Sequence, residues 1–299
     1  MSLGKLLLRL LLALAVVAGV GQWWLLGRAE FEAQRLVAQW QGYGHLRYDR
    51  LWVYPWGAGW ARGVSFEPTG FTQAALGTPL GYRIELGELR FDHLQVDDGQ
   101  LTEIRLKLKD LDLPMQDAYR FRGRMAPPAL ADLGYETLRF DGGLRLRQTP
   151  GQHLMLLDGD VAAADFARLR FSLQLDADGR RLQMAPDQIG LRGLQLDYED
   201  RGLLPRYRQY TAALLGVTAE AAAQAMIDKL NQRSLRENWK WDEASSRALR
   251  AFIRRPQRCY IELSPPGDVV LRNLSLYAVG DWPPLLGFRF TLEAPAAVP

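Results

Sequence analysis

The stretch "LQLDYEDRGLLPRYRQYTAALLGVT", residues 194 to 218, concentrates the residue types that could do chemistry: Glu199, Asp200 and Arg201, followed by Gly202. Two adjacent carboxylates suggest an acid and a base. Neighbouring residues of a strand point to opposite faces, however, so the pair does not converge on one substrate atom. Asp200, placed just ahead of a glycine and a helix, fits a turn-former that takes up free N–H groups, with Arg201 as its local counter-charge. The knot is thus expected to be a joint between sheet and helix.

The remaining polar candidates are scattered. His45, His93 and His153 show no H-x-x-H or H-E-x-x-H spacing, so no metal site is assigned. Cys259 is the only cysteine, which excludes a disulfide within the chain. It shares a strand parity with Ile261 and Leu263 and is expected to be a buried structural thiol. Asp97, Asp98 and Gly99 form a hairpin turn signal without the spacing of a calcium loop. No G-x-S-x-G, P-loop or dinucleotide fingerprint occurs in a strand-to-helix setting. No catalytic residue and no cofactor is assigned, and the protein is expected not to be an enzyme. One cationic cluster stands out in "RALRAFIRRPQR": Arg247, Arg250, Arg254, Arg255 and Arg258. Such cations suit a helix carboxyl end, or a contact with the headgroups of an anionic membrane surface.

The elements that position these residues are legible from periodicity. From residue 44 to about 113 the apolar period is mostly two. Trp60, Val64 and Phe66 share a parity, as do Ile84 and Leu86; Leu89 and Phe91 follow after a one-residue shift. Ile104, Leu106 and Leu108 alternate with Arg105, Lys107 and Lys109. Changes of parity within a strand suggest bulges in a curved sheet. Residues 114 to 134 form a connection. Alternation then resumes in Leu138, Phe140, Leu144 and Leu146, in Leu169, Phe171, Leu173 and Leu175, and in Ile189 to Tyr198 with a bulge at Gly193. The period becomes 3.6 over three helices. Leu203, Tyr207, Tyr210 and Leu214 line the first, which Gly216 stops. Thr218 caps the second, lined by Ala223, Met226, Ile227 and Leu230. The third runs from about Asp242 to Arg254. Strands are expected again over Cys259 to Leu263, Val269 to Leu276 and Leu286 to Leu292.

The fold class expected is α+β, mainly β: an N-terminal single transmembrane helix, then a curved, largely antiparallel sheet with an inserted helical block at about 203–254. The parts are a cytoplasmic stub and anchor (1–27), a first β-rich part (28–134), and a second (135–299) that carries the helices. The anchor rests on an apolar run from Leu10 to Leu26, broken only by Gln22, behind Lys5 and Arg9. As a helix it rises about 25 Å, enough to cross a bilayer with Arg9 snorkelling, and Trp23 and Trp24 suit the far interface. The positive-inside rule leaves the N-terminus in the cytoplasm and the bulk of the chain in the periplasm of a Gram-negative cell. The 299 residues carry a net charge of only +3, and no basic stripe dominates, so nucleic acid is not an expected partner.

Together, "L-x-L-x-Y-x-D-R-G-L", "A-x-x-x-G-V-T-A-E" and the later "I-E-L-S-P-P…L-R-N-L" resemble the AsmA-like group of bacterial envelope proteins. The matching positions are Tyr198, Asp200, Arg201, Gly202 and Leu203, then Ser264, Pro265 and Pro266. The resemblance implies a curved β-sheet on a membrane anchor with a role in envelope biogenesis or lipid movement. This chain is short for that group, so a carrier, an adaptor or one end of a longer conduit is the implied form. Two functions follow as expectations. One is lipid or hydrophobe handling, with the apolar row Leu169, Phe171, Leu173 and Leu175 as the ligand face. The other is a structural or assembly subunit of an envelope or secretion complex, in which the same row is filled core. The expected partners are the inner membrane, a lipid, and other envelope proteins.

Overall fold

The computed structural model describes residues 44–53, 58–69, 73, 81–97, 100–115, 130–149, 153–177, 188–267 and 269–292. The sequence also predicts a short helix over 29–40; it and the anchor expected over residues 10–26 lie outside the described residues. Among the described residues no helix is long and apolar enough to cross a membrane.

The fold is mainly β, an open antiparallel sheet with four α-helices among the described residues. It divides into two compact units, Met1–Leu144 and Arg145–Pro299. In the first unit β1 (Gly44–Arg47) and β2 (Arg50–Val53) both pair with β3 (Gly59–Pro68), and β3 pairs with β4 (Ile84–Asp97). β4 turns into β5 (Gln100–Pro114) through a hairpin that Asp97 and Gln100 close, as the Asp-Gly signal predicts. β6 (Thr137–Thr149) follows a short 3-10 turn at Ala131–Leu133 and crosses the division between the units.

The parity changes anticipated in the sequence fall on one line. Gly63 of β3 lies opposite Gly87 of β4, and Gly87 opposite Asp110 of β5. On each strand the buried positions switch parity there: Ala61 then Val64, Leu86 then Leu89, Leu108 then Leu111. Gly63 has φ +60° and a Cβ there would strike the Asp49 carboxylate, so a glycine is required. Asp110 adopts φ +55° without being glycine; its N–H donates to Asp141 Oδ1 at 2.8 Å, which holds the conformation. The reversal at Gly63 also corrects the expectation for Trp60. Ala61, not Trp60, shares the buried face with Val64 and Phe66.

In the second unit β7 (Leu154–Ala163), β8 (Ala167–Asp176) and β9 (Gly190–Asp200) form a meander in chain order. β9 carries the bulge expected near Gly193, with Arg192 as its extra residue. Three helices follow: α1 (Leu203–Leu215), α2 (Ala219–Arg236) and α3 (Glu243–Arg254). The chain then returns as β10 (Arg258–Leu263), which pairs with β9, so the helices are an insertion between two neighbouring strands. Two expected strands are much shorter than their patterns. Only β11 (Val269–Val270) joins β9, because its partner begins at Gly190; the chain beyond curls into a 3-10 helix at Leu271–Leu276. Likewise only β12 (Arg289–Thr291) pairs with β10. Pro283 and Pro284 cannot donate to a ladder and instead open α4 (Trp282–Leu285), and Gly287 turns the chain at φ +57°.

Candidate functional site: an apolar sheet face in the second unit

The register sorts every side chain of this sheet onto one of two faces. Four levels of apolar residues run across the strands: Val161, Leu169, Tyr198 and Cys259; Gly159, Phe171, Leu196 and Ile261; Leu157, Leu173, Leu194 and Leu263; Met155, Leu175, Leu191 and Val269. The opposite face is ionic. Asp160 pairs with Arg168 through two bonds of 2.8 and 2.6 Å. Asp197 accepts from Arg170 at 3.0 Å and from both forks of Arg258, Nε at 2.7 Å. Arg258 first, and Arg170 with it, hold the Asp197 carboxyl below the usual carboxylate range against the opposing effect of burial. Each cation has a carboxylate beside it, so this face is a self-neutralised ladder.

The apolar face is covered from two sides. At one end α3 lies over the sheet. Phe252 packs edge-on against Tyr198 and Phe290, with ring centroids 5.9 and 5.8 Å apart, and joins Cys259 in a buried cluster with Ile261 and Phe288 around it. Ser245 fastens the start of α3 to the edge strand: its hydroxyl accepts the Phe290 N–H at 2.9 Å, while Asp242 accepts the Ser245 N–H at 2.8 Å as the helix cap. α2 packs behind α3 through Ala223 and Ile227 against Ile253, supported by Met226, Leu230 and Leu249. At the other end Leu286 packs on Leu191 and Val269, with Leu274, Trp282 and Leu285 and the half-buried Leu173, Leu175 and Leu263 around them. At the two middle levels Leu157, Phe171, Leu194 and Leu196 are half-buried. Phe171 faces Gly159, which brings no side chain.

The four residues singled out in the sequence therefore share one face but differ in surroundings. Leu169 is buried, while Phe171, Leu173 and Leu175 are half-buried, the last two packed against the carboxyl-terminal cluster. Sequence reasoning missed the companion row on β7, since "LMLLDGDVAA" runs apolar on both parities before its aspartates. It also missed Leu194 and Leu196 as part of the same surface; their alternation was visible, but pairing with β8 was not.

Cys259 is buried and burial pushes its thiol up to about 12, so it carries no nucleophilic character near neutrality. The knot is a joint. Asp200 Oδ1 accepts the Gly202 N–H at 3.0 Å, and Oδ2 accepts both the Leu204 N–H at 3.0 Å and the Tyr198 hydroxyl at 2.8 Å. Arg201 bonds Glu199 at 3.0 Å. Gly202, the residue at the helix cap, has φ +150°, and a Cβ there would lie 2.4 Å from the Asp165 carbonyl oxygen. Glycine offers no capping side chain, so the carboxylate comes from two residues upstream.

The arginine cluster is divided by the sheet. Arg258 lies on the ionic face with Asp197, while α3 lies over the other. Arg250 bonds Ser246 at 2.8 Å and Arg254 bonds Gln224 at 3.3 Å. Arg247 and Arg255 are exposed, Arg247 with Glu243 at 3.9 Å. His45 lies in β1, His93 in β4 and His153 just before β7. Among the described residues no group of three or more His, Cys, Asp or Glu is placed to hold a metal ion.

A family model described as "Uncharacterized protein" matches residues 158–292. The matched stretch begins in β7 and ends after β12, so it takes in most of the apolar face, the joint at Asp200 and all four helices. Comparison with curated proteins finds no match.

Proposed function

We propose that the chain is an inner-membrane-anchored, periplasmic protein of a Gram-negative envelope that holds a lipid or another hydrophobic molecule on the apolar face of its second unit. The observation that carries this reading is the half-buried middle of that face, at Leu157, Phe171, Leu194 and Leu196, lying beside covered ends. A filled core leaves such rows fully buried; a ligand face keeps apolar side chains open to the ligand. Anchoring follows from the run Leu10–Leu26, and curvature of the sheet would turn the face into a groove. The resemblance to AsmA-like proteins points the same way, toward a carrier or adaptor in envelope biogenesis. The chain has no assigned catalytic group, and its partners on this reading are the membrane, the lipid and other envelope proteins.

The second reading, a structural or assembly subunit, is favoured by the packing of Leu173 and Leu175 into a closed cluster. Lipid extraction and native mass spectrometry of the purified full chain separate the two. Under the carrier reading wild type co-purifies with lipid, and Phe171→Glu loses at least most of it while keeping its thermal transition, because a charge in an open groove stays hydrated. Leu173→Glu should instead destabilise by several kcal/mol, since the charge enters a packed cluster. A wild type free of lipid, with Phe171→Glu as destabilised as Leu173→Glu, favours the structural subunit.

A further inference from the structure

The turn between α1 and α2 exposes three apolar side chains in a row. Leu214 is 66%, Leu215 53% and Val217 42% exposed. The turn is well defined: Gly216 takes φ +64°, its N–H and that of Val217 close on Ala213 and Ala212 carbonyls, and Thr218 caps α2 at 3.2 Å. Leu214 was expected on one stripe of α1 with Leu203, Tyr207 and Tyr210; it lies near the helix end, where it is exposed, unlike the buried Leu203. The eleven residues from Gln209 to Ala219 carry no charge. The nearest cation on the amino side, Arg208, is turned back onto the Arg254 and Ala219 carbonyl oxygens at 3.0 and 3.4 Å. The nearest charge on the other side is Glu220, at the start of α2. Leu235, 83% exposed at the far end of the same helix, is different: Arg233, Arg236 and Glu237 surround it in the chain.

We infer that the α1–α2 turn inserts its Leu214, Leu215 and Val217 side chains into the surface of a lipid bilayer. Shape and area select the partner. Three side chains on one turn present far less than the roughly 800 Å² that each side of a stable protein interface requires, which disfavours both another protein and a second copy of this chain. A bilayer demands no complementary shape and accepts an uncharged apolar tip at the headgroup boundary. With so few cations at the tip, insertion should not need anionic lipid. The inference adds to the groove reading and does not depend on it.

The full chain allows a direct test, because Cys259 is buried with its thiol pushed up to about 12 and resists labelling near neutrality. Leu215→Cys carries an environment-sensitive fluorophore at the tip, and Gln232→Cys carries it at an exposed site well along α2. Both proteins are placed in phosphatidylcholine vesicles with or without lipid brominated near the headgroup end of its acyl chains. Leu215 is exposed, so the labelled chain should keep the wild-type thermal transition; Leu214→Cys serves if it does not. The tip label should be quenched at least twofold by brominated lipid and the α2 label should not. A tip label unaffected by brominated lipid overturns the inference. Quenching between labels that disappears on dilution with unlabelled protein, without any lipid effect, overturns it in favour of a second copy. Introducing Phe171→Glu into the tip-labelled chain should leave the response unchanged, which separates failure here from failure of the groove.

Discussion

Asp200 combines three hydrogen bonds in one carboxylate, and each serves the change from strand to helix. It supplies acceptors to two N–H groups that the helix start leaves without intrahelical partners, and it takes the hydroxyl of the tyrosine that packs on α3. Asp200→Ala should lower stability by about 1–2 kcal/mol in denaturant titration, the upper part of the range for a lost helix cap. Glu199→Ala, which removes a bond to Arg201 near the surface, should cost less. Asp197 makes a different kind of prediction. Its carboxyl is held low by Arg258 in the folded protein, whereas in the unfolded chain it titrates near 4, at about 3.9. A lowered folded value contributes stability that is fully present above the unfolded value and is lost as pH falls through the folded one. The stability advantage of wild type over Asp197→Asn should therefore hold from about pH 5 upward and shrink steadily as pH falls below about 4, as followed by thermal melts at descending pH.

At the scale of elements, α3 depends on a serine more than its sequence suggests. Ser245 is 2% exposed and its hydroxyl is the partner of the Phe290 N–H. Ser245→Ala should cost about 1–3 kcal/mol in equilibrium unfolding, because it strands a buried donor; Ser246→Ala, one residue on and bonded only to Arg250, should cost much less. Nothing in "DEASSRALR" distinguishes the two serines until the strand that uses one of them is placed. The same logic governs what was readable. The helices were, because their caps and stops are local: Thr218, Asp242, Gly216 and Pro256 act within a turn of themselves. The bulge at Arg192 was readable for the same reason, through Gly193. The strands expected at Val269 to Leu276 and Leu286 to Leu292 were too long because alternation reports a half-buried surface, not a hydrogen-bonding partner. β9 ends before most of the first can pair, and proline removes the donors of the segment before the second. β7 was missed because its first residues are apolar on both parities. Of the candidate site, the row on β8 was visible and its neighbours were not, since a face exists only once register brings Leu157, Phe171 and Leu196 side by side.

At the scale of the whole molecule, most strands of both units lie beside the strand that precedes them in the chain, with β2, β11 and β12 as the departures among the described residues. The apolar and ionic faces of the second unit follow from this adjacency, since each hairpin copies the inside-outside alternation of the last. One neighbouring pair, β9 and β10, is separated in the chain by the helical insertion of residues 201–257, and that separation bears on the order of folding. The β7–β8–β9 meander closes through the turn at 164–166 and the connection 177–189, while β10 must return across the much longer segment 201–257 before it can pair. Closure over so long a segment carries a larger entropic cost and lengthens the search. The meander is therefore expected to form first with its apolar face bare, and the strand that brings α3 down upon that face to arrive last. In the interval between these two steps the sheet is most exposed to another unfinished copy of itself.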